Sequence, residues 1–324
     1  MDLNGELPIC QIGTIEERLE ASWLIESLWL SEAAGLIGGQ PKCGKSWLGL
    51  DMAVSVASKT PCLGRFPVMT SGPALVYLAE DALHGVRARV AGICQSRGLD
   101  IKTLEVSVIT AAALRLDDQG DRERLWRGIE RIKPRLILLD PLVRLHRLDE
   151  NNSRDIAGIL GFLREIQRHF ATAVVLTHHS SKRTHGRPGQ SLRGSSDLHA
   201  FGDSNLYLSR DDDGIMLAVE HRAAAAIDQV RLQLVPGEAI HLAVSEPSST
   251  VERAVATPLE DRIVAELERR EAPMPREHLR GALRVNNQRF GQALTALIAS
   301  GRISTQQNGL ALSPPKPAAT TTPN

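Results

Sequence analysis

One octapeptide constrains the fold of this chain more than any other feature. Gly39-Gln40-Pro41-Lys42-Cys43-Gly44-Lys45-Ser46 matches the phosphate-binding pattern G-x-x-x-x-G-K-[ST] in full. An apolar segment precedes it at 33–37, and an apolar helical segment follows at 47–57. Glycines let backbone N–H groups face phosphate oxygens, and the helix N-terminus adds positive potential. All eight residues are therefore predicted to bind nucleotide, with Lys45 at the β- and γ-phosphates of ATP and Ser46 on Mg²⁺.

Apolar strands alternate with helical patterns through the first two thirds of the chain. Residues 74–79, 136–139 and 173–177 are continuous apolar runs, which is typical of parallel strands covered on both faces. After residue 204 the pattern changes to strands with short polar connections, at 205–209, 215–219 and 229–234. The sequence predicts an α/β fold with a mostly parallel central sheet and an antiparallel extension.

Composition shifts divide the chain into five parts. Residues 1–30 are a lead segment, with apolar residues at mixed helical spacing over 16–30, and residues 31–244 are the core. Residues 245–258, rich in Ser, Pro, Thr and Glu, are a predicted linker. Residues 259–312 follow the order helix, turn, helix, helix, hairpin, which is the order of a winged helix. Residues 313–324, rich in Pro, Ala and Thr, are expected to be disordered.

Charge and cysteine usage point to an ordinary cytoplasmic protein. The formal net charge is zero, so no global basic or acidic balance identifies a partner, although a local basic loop suffices for nucleic acid. No apolar stretch reaches the length of a membrane span, and the N-terminus lacks a signal pattern. We therefore expect cytoplasmic localisation and no membrane partner. The four cysteines form no C-x-x-C pair, which predicts reduced and mostly buried thiols.

Two acidic residues follow predicted strands. Asp140 ends the strand 136–139, which is the position of the residue that holds Mg²⁺ in phosphate-binding-loop enzymes. Glu80 follows the strand 74–79, where a carboxylate can orient and deprotonate the attacking water. Asp81 is the competing base, and we expect it to cap the next helix instead.

His178 ends the strand 173–177 and has three interpretations. It is a predicted sensor of the γ-phosphate, because polar side chains at this strand end face the ligand. An ordinary hydrogen-bonded histidine is the alternative. Metal ligation by His178, His179 and His185 is a third, but no matching carboxylate or cysteine spacing supports it.

The ordered set of motifs resembles the RecA-fold motors, above all the hexameric DnaB-type helicases and the plasmid RepA-type replication helicases. The similarity covers roughly residues 20–240 and rests on three segments besides the phosphate loop. These are Tyr77-Leu78-Ala79-Glu80-Asp81, Leu139-Asp140-Pro141-Leu142 with Arg144 and His146 after it, and Arg193-Gly194-Ser195-Ser196-Asp197. The resemblance implies a RecA-like core and self-association into a ring, expected to be a hexamer.

The resemblance also assigns residues that spacing alone does not. Arg222 falls on the family arginine that reaches the ATP of the neighbouring subunit, and Glu220 stands where the family has a lysine. Arg193 is the competing candidate for this arginine finger. The loop 180–193 matches loops that contact single-stranded DNA, through Lys182, Arg183, Arg187 and Arg193. A flexible cationic loop suits phosphate contact, and a solvated loop without a ligand is the alternative.

These patterns lead to one expected function and one rival. We expect an ATP-driven motor on single-stranded DNA, acting as a replicative helicase of a plasmid, phage or mobile element. The alternative is a DNA-bound regulatory or recombination and repair accessory ATPase that switches assembly without unwinding. The winged-helix module is expected to bind duplex DNA or a protein, with Asn286, Asn287, Gln288 and Arg289 at the start of its last helix.

Overall fold

The largest feature of the fold is one sheet of nine strands. The structure, a computed structural model, describes residues 9–14, 22–150, 152–179, 196–211, 214–245, 259–270, 273–283, 285, 287–306 and 309–313. The strands of the sheet are β3 (Ala34–Gly39), β4 (Ala74–Leu78), β5 (Val106–Val108), β6 (Leu136–Asp140), β7 (Ala173–His179), β8 (Ser204–Asp211), β9 (Gly214–His221), β10 (Val230–Val235) and β11 (His241–Val244). Their spatial order is β11-β10-β9-β8-β3-β7-β6-β4-β5.

Six of these strands run parallel, which confirms the predicted fold class. β3 pairs with β7 and β8, β6 pairs with β7 and β4, and β5 pairs with β4, all in parallel. β9, β10 and β11 continue the sheet in antiparallel pairing, as expected for the segment after residue 204. β3, β7, β6 and β4 are neighbours in the sheet and run in the same direction, so their carboxyl ends lie side by side.

Helices cover both faces of the sheet, as continuous apolar strands require. One face packs against α1 (Lys45–Ser58) and α2 (Leu83–Ser96). The other packs against α3 (Gln119–Ile132), α4 (Ser153–Phe170) and α5 (Ser196–Phe201). α4 begins at the cap Asn152, whose side chain accepts from the backbone N–H of Arg154.

Part of the lead segment, whose apolar residues show mixed helical spacing in the sequence, forms strands. β1 (Trp23–Ile25) and β2 (Trp29–Leu30) form a short antiparallel pair, and Ser27 adopts a left-handed turn conformation with φ 62°. Leu24, Ile25, Leu28 and Trp29 are completely buried or nearly so in the core beside α1. Burial of these side chains against the sheet outweighs the weak helical spacing, because packing routinely overrides local propensity.

The chain divides into two compact units, Met1–Glu246 and Pro247–Asn324. The second contains α6 (Leu259–Arg270), α7 (Arg276–Leu283), α8 (Asn287–Ala299) and the antiparallel pair β12 (Ile303–Gln306) and β13 (Gly309–Leu312) around its own apolar core. Within the described residues, no helix combines the length and apolarity needed to cross a membrane.

Candidate nucleotide site

The phosphate-binding loop connects β3 to α1 in a conformation that needs its glycines. Gly44 has φ 97°, a left-handed conformation that glycine tolerates best. A Cβ added to Gly39 would lie 2.5 Å from the carbonyl oxygen of Leu208 and 2.6 Å from Sγ of Cys43, so no side chain fits there. Cys43 itself is buried, and burial raises the pKa of its thiol despite the nearby Lys45.

The first turn of α1 offers its backbone N–H groups to an anion. Its cap residue, Gly44, makes no side-chain capping bond, and the first turn contains no acidic residue. The leading N–H groups of a helix lack partners within the helix, and the helix dipole favours negative charge there. This is the arrangement that binds phosphate.

Lys45 is the central cation of the site, with 6 % of the residue exposed. Its ammonium donates to the carbonyl oxygens of Gly39 and Gln40, at 3.0 and 2.8 Å, and lies 3.3 Å from Nδ1 of His179. Burial lowers the pKa of Lys45, and the nearby Cys43, Asp140 and Glu80 partly oppose that change. An ammonium has only protons to donate, so a neutral His179 carries its proton on Nε2.

Asp140 lies beside Lys45 at the end of β6. The hydroxyl of Thr177 on β7 donates to its carboxylate. Burial raises the pKa of Asp140, while hydrogen bonds from Ser46 and Thr177 act in the opposite direction. A carboxylate and a hydroxyl in contact are hard oxygen donors of the kind Mg²⁺ prefers, so the predicted pair Ser46 and Asp140 fits that ion.

Glu80 lies at the same edge of the sheet but is far more exposed. Leu78 of β4 pairs with Asp140 of β6, and the N–H of Ala79 donates to the Asp140 carbonyl at 2.8 Å. The Glu80 side chain is 46 % exposed and forms an ion pair with Arg144, 2.7 Å from Oε1 to Nε. Glu80 follows β4 and Arg144 follows β6, so both residues lie just beyond strands that end at the site.

Asp81 does not cap a helix, so that expectation is wrong. The cap of α2 is Ala82, which makes no side-chain capping bond. Asp81 instead forms a two-point ion pair with Arg89, with both distances 2.7 Å. The long arginine of the second turn competes successfully for the carboxylate.

The structure brings His179, rather than the predicted sensor His178, to the phosphate-binding loop. Strand side chains alternate, so Thr177 and His179 share the face toward Asp140 and Lys45. His178 is 2 % exposed, and its Nδ1 lies 3.9 Å from Oε1 of Glu150 on the opposite side. The period of two along the strand, counted from Thr177, is the sequence signal for this assignment.

These groups surround a cavity of about 560 Å³ beside the loop. Its charged lining includes two arginines that the sequence patterns did not single out, Arg89 and Arg210, and its apolar wall consists of Trp47, Ile215, Leu234 and Leu242. A larger cavity, of about 700 Å³, lies between β5 and α3 and contains none of the predicted site residues. The loop cavity is therefore the candidate nucleotide site on chemical grounds.

Arg222 lies at the opposite edge of the sheet from the phosphate-binding loop. Gly39 pairs with Leu208 on β8, whereas His221 pairs with Ser204 at the start of the same strand. The Arg222 side chain is 56 % exposed, donates to the Ala200 carbonyl and lies 3.3 Å from the Asp203 carboxylate. Arg222 therefore lies at the end of the strands opposite to the phosphate-binding loop of the same chain. Glu220 contacts His199 at 3.8 Å.

Several predicted nucleic-acid contacts lie outside the described residues. These are Lys182, Arg183, Arg187, Arg193 and Asn286, and also the side chains of Asn287, Gln288 and Arg289. In the described part of the chain, no group of three or more His, Cys, Asp or Glu residues is arranged to hold a metal ion.

Comparisons with known proteins place the chain in a family and show its fold. The family model described as AAA domain matches residues 12–185. A solved structure that consists of an ATPase domain superposes with a TM-score of 0.52 at 16% identity, covering 67% of this chain and 86% of that one. A KaiC-like protein, PH0186 of the archaeon Pyrococcus horikoshii OT3, matches with a TM-score of 0.47 at 15% identity, covering 69% and 94% of the two chains. The likeness to the solved ATPase domain supports the RecA-like fold.

Proposed function

Because this chain belongs to the AAA domain family, we propose that it is an ATP-hydrolysing oligomeric motor that acts on single-stranded DNA. Its role is that of a replicative helicase of a plasmid, phage or mobile element. The observation that carries the proposal is the convergence of Lys45, Ser46, Asp140 and Glu80 on one cavity while Arg222 stands at the far edge of the sheet. In the proposed motor, the arginine for this site comes from a second subunit.

The phosphate end of ATP is assigned to the loop and the first turn of α1. Lys45 uses its protons on two carbonyl oxygens and His179, so ATP binding exchanges at least one of these contacts for a phosphate oxygen. Ser46 and Asp140 would hold Mg²⁺, which neutralises charge on the β- and γ-phosphates. His179 takes over the sensor role predicted for His178, since its Nε2 proton is suited to a γ-phosphate oxygen.

Glu80 is assigned as the general base. A carboxylate near the γ-phosphate orients water and accepts its proton. The ion pair with Arg144 is largely exposed, and pairs of this kind are worth about 0–1 kcal/mol. Rearrangement around the bound nucleotide therefore costs little, and Glu80 is available for water.

DNA binding is assigned to the cations of the loop 180–193, namely Lys182, Arg183, Arg187 and Arg193. This loop follows β7 directly, and β7 carries His179 against Lys45. Duplex DNA or a protein partner is assigned to the second unit, interpreted as a winged helix. Glu220, which stands where the family has lysine, favours the alternative of a regulatory ATPase that assembles on DNA without unwinding it.

Unwinding of forked DNA separates these two functions. The wild-type protein with ATP and Mg²⁺ is expected to release the labelled strand, and Lys45→Ala is expected not to. Lys102→Ala, which removes an exposed lysine that does not line the nucleotide cavity, is the matched control. DNA-stimulated hydrolysis without strand release would favour the regulatory ATPase, and hydrolysis indifferent to DNA would exclude both.

A further inference from the structure

A buried polar cluster behind the carboxyl end of β7 has no part in the ATP chemistry assigned above. It consists of His146, Glu150 and His178, and the two histidines are only 4 % and 2 % exposed. Nearby in the chain, Leu142, Leu145 and Ile156 belong to the apolar core on this side of the sheet. Burying polar groups costs free energy unless they interact with one another. Contacts among these three side chains therefore offset part of the cost of burying them.

One carboxylate oxygen serves both imidazoles. The N–H of Leu148 donates to Nδ1 of His146 at 3.2 Å, so the proton of a neutral His146 is on Nε2, facing Oε1 of Glu150 at 3.5 Å. Nδ1 of His178 lies 3.9 Å from the same oxygen. These distances exceed those of standard hydrogen bonds, so the attraction is chiefly electrostatic. Burial alone would raise the pKa of Glu150, but His146, His178 and His179 together lower it.

The cluster joins the two segments that carry the partners of the catalytic groups. His146 and Glu150 belong to the segment after Asp140, which also carries Arg144, the partner of Glu80. His178 stands between Thr177, which donates to Asp140, and His179, which contacts Lys45. Glu150 is thus one point where the end of β7 is linked to the segment following β6.

We propose that Glu150 is a positioning residue of the nucleotide site, which holds the end of β7 through His178 so that His179 keeps its place against Lys45. It touches neither nucleotide nor water in the reaction. The inference rests only on the ATP-hydrolysis part of the proposed function and is independent of DNA.

A double-mutant cycle with His179 tests this role in the full-length protein. Glu150→Ala is expected to lower basal kcat by about 10- to 100-fold, since displacements near 1 Å cost that much. The Kd for ATP, measured separately, should change less than about threefold, because the loop and α1 remain intact. In a His179→Ala background the same change should lower kcat less than about twofold, since coupled residues are not additive.

Glu130→Ala, which removes an exposed glutamate from α3, is the control and should leave kcat unchanged. If Glu150→Ala does not fold, Glu150→Gln keeps the side-chain shape without the charge and serves in the same cycle. Equal losses in both backgrounds, or losses in ATP affinity rather than kcat, would overturn the proposal. If DNA does not stimulate ATP hydrolysis but the double-mutant cycle gives the expected result, the motor function is excluded and the role of Glu150 stands. A wild-type protein without ATPase activity would overturn both.

Discussion

Lys45 and Asp140 are each 6 % exposed, whereas the side chain of Glu80 is 46 % exposed. This difference in exposure separates the proposed binding groups from the proposed base. Buried charges are fixed by their neighbours and are suited to hold phosphate and Mg²⁺. An exposed carboxylate at the same edge can orient a water molecule and accept its proton.

Exchange of the base should therefore separate binding from turnover. Glu80→Gln is expected to bind ATP with near wild-type affinity and to lose about 10²–10⁴-fold in kcat, the usual contribution of a positioned base. Lys45→Ala should instead lose tight ATP binding. Single-turnover hydrolysis and nucleotide titration measure the two effects, with Glu105→Gln at an exposed position as control. Normal turnover by Glu80→Gln would move the base to Asp81.

Asp140 should reveal a conflict between stability and function. Burial raises its pKa in the folded state, so the ionised carboxylate destabilises the fold above the unfolded-state pKa. Without nucleotide at pH 7.5, Asp140→Asn is expected to melt about 2–4 °C higher, roughly 1 kcal/mol for a domain of this size. The difference should shrink as pH falls through the folded-state pKa, because wild-type Asp140 then becomes neutral.

Thermal melts of both proteins between pH 7.5 and 4 measure this effect. Mg²⁺ and ATP should reverse the order at pH 7.5, since only the carboxylate is a strong Mg²⁺ ligand. A lower melting temperature for Asp140→Asn at every pH would mean that the bonds to Thr177 and Ser46 outweigh the cost of burying the charge.

At the scale of elements, strand direction determines which groups share an edge. β8 runs parallel to β3, and β9 runs antiparallel to β8. The end of β9 therefore lies at the edge where β3 begins. Arg222 is placed there by strand direction, on the surface and away from its own phosphate-binding loop.

Mixing two inactive variants tests whether Arg222 acts in trans. Arg222→Ala should bind ATP yet hydrolyse it poorly, because an arginine at the γ-phosphate contributes about 10³–10⁵-fold. Addition of Lys45→Ala protein, which supplies Arg222 without a working site, should restore part of the rate in mixed oligomers. Arg231→Ala, on β10, is the control arginine. If mixed oligomers form but ATP hydrolysis does not recover, Arg222 does not act on the neighbouring site. Arg193 is then the remaining candidate for the arginine at the γ-phosphate.

The loop after β7 should supply the salt-dependent part of DNA binding. Replacement of Lys182, Arg183 and Arg187 by Ala is expected to weaken single-strand binding to all sequences alike. Each lost phosphate contact should lower the slope of log K against log salt by about 0.7. Exposed Lys102, Arg127 and Arg168, replaced together, change the net charge equally and serve as control. An unchanged slope would move the DNA site to the second unit.

At the scale of the whole molecule, the chain has two units with separate apolar cores. All the proposed nucleotide-binding groups belong to the first unit, and the second has its own helices and strand pair. This division predicts that the two units fold and act independently, as domains with separate cores usually do.

Truncation before Pro258 tests that independence. The shortened protein is expected to retain basal ATPase activity within about twofold and to lose binding to duplex DNA or a partner, because each domain has its own core. ATP turnover and duplex binding of the two lengths are compared, with circular dichroism to establish folding. Loss of soluble protein on truncation would mean that the first unit depends on the second.

The sequence by itself determined the features that are local or repeated. The phosphate-binding loop is a contiguous motif, Asp140 follows its own strand, and continuous apolar runs require a sheet covered on both faces. Only the tertiary structure decided contacts between distant segments. His179 meets Lys45 across 134 positions, Arg144 meets Glu80 across 64, and Trp29 is buried in the core. Strand register selects one of two adjacent histidines, and a shift of one residue reverses the choice. The alternation along β7 is a local pattern, but which of its two faces meets Lys45 is set by packing of the whole sheet.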